Sequence, residues 1–281
     1  MSVTPTIPDS LLLRHCGFVL AKLRRSVEAW DADDDERRLR KIACLAFVAN
    51  AYLLTREIVA TQATFTSTAL LQRTLWHNAG QLAWLLNGPG DLADRLDVFH
   101  ADHDTRAVDS ILNRPIRMFG HSIAESFLTT TEDREAAKSL RAQAEQAKEH
   151  VQRASTTEWS RISVRKLWKA MRQAFGVAKA EFGDSIEAVM RHSEDALASG
   201  DNIAHPNAFA MLSLLNLVDL DALQVQRPLS VLDVDMPKVL YGTGNLLLLH
   251  GVAIYAHEKT LFPLAELLDS LGRSLARWSR S

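Results

Sequence analysis

The stretch 9–30, DSLLLRHCGFVLAKLRRSVEAW, repeats apolar side chains at alternating three- and four-residue steps: Leu13, Cys16, Leu20, Leu23, Val27 and Trp30. That spacing lines one face of a 3.6-residue helix, whereas a half-buried strand would alternate at every second residue. Asp9 or Ser10 suits the cap, where a side-chain oxygen accepts from the first free amides. The chain therefore opens on an amphipathic helix.

Working outward, the acidic turn Asp31–Glu36 puts negative charge at the positive end of a second helix, predicted over about Asp35 to Thr61. Ile42, Leu45, Val48, Leu53 and Ile58 are its candidates for burial. A third helix, about Ser67 to Leu86, stops at Asn87-Gly88-Pro89-Gly90, where glycine can turn left-handed and proline cannot extend the ladder. Asp91 opens a fourth, which runs to about Asn113 because Pro115 disfavours helical geometry before it. A short apolar helix is expected over Met118 to Leu128. Thr129-x-x-Glu132 then resembles a capping box in front of a peripheral helix, rich in Ala, Lys, Glu and Gln, that reaches about Arg153.

Helices near Ser163 to Phe175 and Val177 to Ala198 follow, with Gly200 as the expected terminator. Residues 209–234 mix leucine-rich turns with Asp219, Asp221, Pro228 and Asp233, so short helix and irregular backbone, forming a possible flap, are expected there. Pro237 suits the first turn of a helix reaching about Lys259. Pro263 starts the last one, with Leu264, Leu267, Leu268, Leu271 and Leu275 on one face. The prediction is an all-α bundle of about eight to ten helices in a single domain over 1–281, with little or no strand and no internal repeat.

Composition agrees with that reading. Of 281 residues, 47% are hydrophobic and 23% charged, and 12 Gly with 8 Pro leave little material for many tight turns. A net charge of -2 gives no global attraction to nucleic acid or anionic membrane, so such a partner would need a local patch. Cys16 and Cys44 are too few for a disulfide framework and sit inside apolar helical patterns, which fits buried thiols in a reducing compartment. Residues 1–10 carry Pro5, Pro8 and Asp9 without a basic start, so a secretory leader is not expected and a cytoplasmic location is. The longest apolar stretches, Ile42 to Leu54 and Leu246 to Ala256, fall short of the roughly 20 residues that cross a bilayer. Asn50 and His250 interrupt them, and both read as core helices.

His100, His103 and Asp104 stand at i, i+3 and i+4 on the fourth helix, a spacing that aims nitrogen and oxygen donors at one metal. His77 and His103-Asp104 resemble the His-Asp ligand pair of HD-type metal phosphohydrolases, which are helical. In that family the pair precedes a small residue, whereas Thr105-Arg106 follow here. The bland alternative is a solvated acidic face, since six acids oppose two arginines over Asp91 to Asp109.

A second resemblance covers Leu70 to Asn207. Leu70-Leu71-Gln72-Arg73 with Leu82 to Leu86, the amphipathic stretch Asp91 to Ile111, and Ser199 to Asn207 with His205-Pro206 are similar to an uncharacterised bacterial helical family. That family has an Arg-x3-acid helix followed later by a Ser-rich turn and a His-Pro pair. Its acid position is His77 here, so an Arg-Glu pair does not carry over, and Arg73, His77 and His205 are the candidates left. The layout also resembles HEPN-type domains, some of which cleave RNA with an Arg-x4-6-His motif in which Arg binds phosphate and His moves a proton. No Arg stands at that reach before His205. Arg114 and His121 satisfy the spacing, with Pro115 between them. Such domains often dimerise across the motif, so a homodimer is implied.

The segment Arg153 to Lys179 is the most polarised in the chain. Arg153, Arg161, Arg165, Lys166, Lys169, Arg172 and Lys179 face the lone acid Glu158, with Trp159 and Trp168 interleaved. Cations that neutralise phosphates and aromatics that stack on bases are what RNA or another single-stranded nucleic acid requires. Docking of this segment on acidic surfaces of the same protein would explain it equally. The expectation is a helical regulatory or defence-type module with a ligand pocket or RNA contact, leaning away from catalysis. The alternatives are an HEPN-like ribonuclease and an HD-type phosphohydrolase. No cofactor is expected.

Overall fold

A computed structural model describes residues 9–60, 65–111, 117–118, 121–122, 130–154, 162–204, 218–219, 224–225, 236–259 and 262–278. The protein is an all-α helical bundle. Its helices are α1 (Asp9–Glu28), α2 (Asp35–Ala60), α3 (Phe65–Asn87), α4 (Leu92–Ile111), α5 (Thr131–Ala154), α6 (Val164–Phe182), α7 (Asp184–Ala204), α8 (Met236–His257) and α9 (Leu264–Trp278). Strand among the described residues is confined to two antiparallel pairs of two-residue strands, Arg117–Met118 with His121–Ser122 and Val218–Asp219 with Gln224–Val225. The chain divides into two compact units, Met1–Asn87 with Leu167–Ser281, and Gly88–Lys166.

In the first unit α8 is the central rod, packed by α1, α3, α7 and α9. Leu246, Leu247, Leu248, Leu249, Val252, Ala253 and Ile254 are all fully buried, which accounts for every side of the helix over two turns. The α1 stripe is buried as its spacing predicts from Cys16 to Trp30, while Leu13 is exposed. Both cysteines are buried free thiols, and burial pushes each up to about 12, far from a reactive thiolate.

Several polar groups inside this unit find partners close by. His250 Nε2 lies 2.8 Å from the Asn78 amide oxygen and its Nδ1 lies 3.1 Å from the Leu246 carbonyl. The Gln72 amide donates to the Val239 carbonyl at 3.1 Å, and His15 Nδ1 meets Ser270 Oγ at 3.2 Å. Burial holds both imidazoles down at about 4; for His250 the Leu246 and Leu247 backbone opposes that shift.

In the second unit α4 packs on α5 through Val108, Ala137, Leu140 and Ala144. Positions 137, 144 and 151 are buried at seven-residue intervals on an otherwise polar α5, the thin apolar face that its composition predicts. Gly90 takes the left-handed backbone that the turn after α3 requires, with φ 83°. The Arg95 guanidinium donates to the Gly88 carbonyl at 2.8 Å and also to that of Gly90.

Several local expectations shift. The capping box stands one residue later than predicted: the Asp133 amide donates to Thr130 Oγ1 and the Thr130 amide to Asp133 Oδ2, both at 3.1 Å. An aspartate at that position closes the same reciprocal pair that Glu would. The helix expected over Met118 to Leu128 is contradicted at 118 and 121–122, which are extended; the rest of it lies outside the described residues. α6 runs through Gly176, because buried Ala174, Phe175 and Ala178 hold both sides of it in the core. The break falls instead at Gly183, with φ 53°. Gly200 likewise does not end α7, which continues to Ala204. Ile42 and Leu53, expected to be buried, are 58% and 55% exposed. α2 and α8 are each long and apolar enough to cross a membrane by length and composition, which corrects the expectation that both stretches are too short.

Candidate nucleic-acid interface

α6 carries the charge-polarised segment. Leu167, Ala170, Met171, Ala174, Phe175 and Ala178 are buried, so the helix has a firm inner face. The opposite face follows from the same period: Arg165, Lys169 and Arg172, at i, i+4 and i+7, are all exposed. None of the three makes an ion pair among the described residues.

Trp168 sits at the boundary between the two faces. Its ring meets Trp76 of α3 at a centroid distance of 5.3 Å, and the Arg172 guanidinium lies over it at 5.1 Å. Trp76 is fully buried, so Trp168 is anchored to the core, and the indole face that a base would stack on is already covered by a cation. Trp168 thus positions Arg172 instead of offering an open stacking platform. A planar guanidinium held on an indole is preorganised for a phosphate or a base.

Two further cations are spoken for. Lys179 pairs with Glu187 of α7 at 3.1 Å, and that contact lowers the Glu187 carboxyl. Lys166 is half-buried, and burial lowers its ammonium against the opposing pull of Asp102. Intramolecular docking of base on acid therefore accounts for part of the segment and leaves Arg165, Lys169 and Arg172 outside it. Arg161, which belongs to the same predicted patch, lies outside the described residues.

The other predicted centres are placed as follows. His100 and His103 are exposed, and His103 Nδ1 is 3.4 Å from a half-exposed Asp104 oxygen. Among the described residues no group of three His, Cys, Asp or Glu side chains is placed to hold a metal ion. Among the described residues the buried acid on α4 is Asp102, only 4% exposed. It accepts from Arg106 Nε at 2.7 Å and from the Ile162 amide at 3.3 Å, while Arg106 Nη2 donates to the Ile162 carbonyl at 2.7 Å. This clip pins the chain just before α6, and sequence reasoning passed over it because Asp102 reads as one acid among six.

Arg73 and His77 are both half-buried on α3, and the His77 ring packs edge-on against Trp76 at 5.4 Å. The neighbour that enters the core is Asn78, one position on. His205 and Arg114 lie outside the described residues, as does the His121 side chain, so the proposed meeting of Arg73, His77 and His205 lies there too. No protein-family model, no curated protein and no solved structure matches this chain.

Proposed function

We propose that this protein is a helical module that contacts single-stranded nucleic acid, RNA foremost, along the outer face of α6. The observation that carries the reading is the row Arg165, Lys169 and Arg172: three exposed cations on one helix face with no ion pair among the described residues. Like charges at i, i+3 and i, i+4 on a helix repel modestly, and a polyphosphate strand is a partner that offsets this. Trp168 supplies the rigid seat for Arg172. Buried Asp102, with Arg106 and Ile162, clips the chain two residues before the helix starts.

Three phosphate contacts imply a slope of about -2 in log affinity against log salt for a single strand, or roughly a twentyfold loss between about 50 and 200 mM. Fluorescence anisotropy with labelled poly-U RNA across that range tests this. The Arg165→Glu/Lys169→Glu double variant should weaken binding tenfold or more and flatten the slope, with the helical circular dichroism unchanged. Binding that is absent, or indifferent to salt and to both substitutions, would sink the proposal.

A further inference from the structure

We infer that the notch on α6 beside Arg172, at Gly176, seats an unpaired nucleobase, so that this face takes a strand with a free base and not a polyanion at large. The inference rests on the nucleic-acid reading of that face and adds what the strand must carry besides phosphate. The exposed row Arg165, Lys169 and Arg172 continues at the same period to Gly176, also exposed, at steps of four, three and four. Side chains on a helix lean toward its N-terminus, each over the turn before its own Cα. Arg172 does so, with its guanidinium over the Trp168 ring at 5.1 Å from the centroid. The side chain that would lean over Arg172 in its turn is the one at position 176, which glycine lacks. A Cβ placed there meets no atom within 4 Å, so the space it would enter is open.

Packing does not call for that glycine. At Gly80 of α3, by contrast, an added Cβ would stand 3.1 Å from the Leu167 Cβ, and close approach of the two helices explains the residue. Gly176 lies inside α6 (Val164–Phe182), where glycine weakens a helix through the backbone freedom it gives up on folding.

The walls of the notch select its occupant. Its floor is bare helix backbone and one side is the Arg172 guanidinium. Trp168 is held away from it, because its ring packs on fully buried Trp76 at 5.3 Å. A guanidinium can stack its face on a base while its edge donates to a phosphate. A phosphate alone would use the edge and leave the bare turn unfilled, whereas a flat, weakly hydrated ring fills it. Lys169 and Arg165, one and two turns back, hold phosphates of the same strand. A duplex keeps its bases stacked inward, so a single strand is the form that presents such a ring.

Two strands of equal length and charge, oligo-U RNA and an abasic ribose-phosphate strand, separate base from phosphate in fluorescence anisotropy with the full chain. The base-bearing strand should bind about tenfold more tightly, the worth of one stacked base, with the same salt slope. Gly176→Leu should bring its affinity down to that of the abasic strand and leave the abasic strand's own affinity unchanged. Arg172→Lys, which keeps the charge and loses the plane, should do the same. Gly176→Ala should unfold at a higher temperature, since the fold has no use for the glycine; a lower one would give Gly176 a structural role and overturn the inference. Equal affinity for the two strands, falling steeply with salt, would overturn it too and leave the phosphate contact standing. A Gly176→Leu variant that still prefers the base-bearing strand would have the same force. No binding of either strand would sink both readings together.

Discussion

The apolar windows of α2 and α8 have nearly equal mean hydropathy, yet 83% of that of α8 is buried inside the protein and only 28% of that of α2. The difference lies in neighbours. α8 is walled in by α1, α3, α7 and α9, so all its sides face protein, and even its His250, Thr243 and Asn245 are buried. α2 leans on α1 and α3 from one side and leaves Ile42, Tyr52 and Leu53 facing outward. Hydropathy summed along a helix has no azimuth, so it cannot tell a helix that is surrounded from one that is leaned upon.

The contrast predicts how the two helices answer the same insult. Leu247→Ala in α8 removes a fully buried side chain and should cost about 2–5 kcal/mol in chemical unfolding. A loss below about 1 kcal/mol would mean that α8 is not enclosed.

Acid should act on α8 next most strongly. An unfolded imidazole takes up its proton near 6.5, while His250 does so only at about 4, so the folded protein binds fewer protons between those values. The stability that comes from keeping this ring neutral is complete above about pH 6.5 and is lost as pH falls toward 4. The loss is on the order of 3 kcal/mol by the lower end for this ring, and His15 on α1, held down at about 4 by burial as well, adds to it. Urea unfolding at pH 7.5, 6 and 5 measures it, and a flat profile would show that the ring is not held neutral by burial.

Gly251→Ala is the finer probe of how tightly α8 is enclosed. A Cβ there would stand 2.2 Å from Phe262 Cε1, and Phe262 is itself buried, so the ring must shift. About 1–3 kcal/mol of destabilisation is expected. The smallest effect belongs to α2: Leu53→Ser should change unfolding of the dilute protein by no more than about 0.5 kcal/mol. A loss comparable to that of Leu247→Ala would erase the distinction between the two helices.

The candidate site divides along the same line. That α6 is amphipathic and basic was legible, because Arg165, Lys169 and Arg172 share a face by spacing alone. Which cations stay unpaired was not, since Lys179 meets Glu187 on the next helix and Lys166 feels Asp102 from α4, far away in sequence. Trp168 illustrates the same gap. Its composition suggests a stacking platform, and only the packing reveals Trp76 behind it and Arg172 in front.

Periodicity and capping chemistry sufficed for the helices themselves, their order and many of their ends, because those depend on residues within one or two turns of each other. Capping at Thr130 and the break at Gly90 belong to this local class, whereas the break expected between Phe175 and Val177 fails because packing carries α6 on toward Gly183. Sidedness belongs to the other class. Whether Ile42 is covered, whether Asn78 rather than His77 enters the core, and whether an arginine keeps its charge for a partner all depend on helices that meet across long stretches of chain. Burial and Coulomb energies are set by distance in space, and no local window of sequence contains those distances.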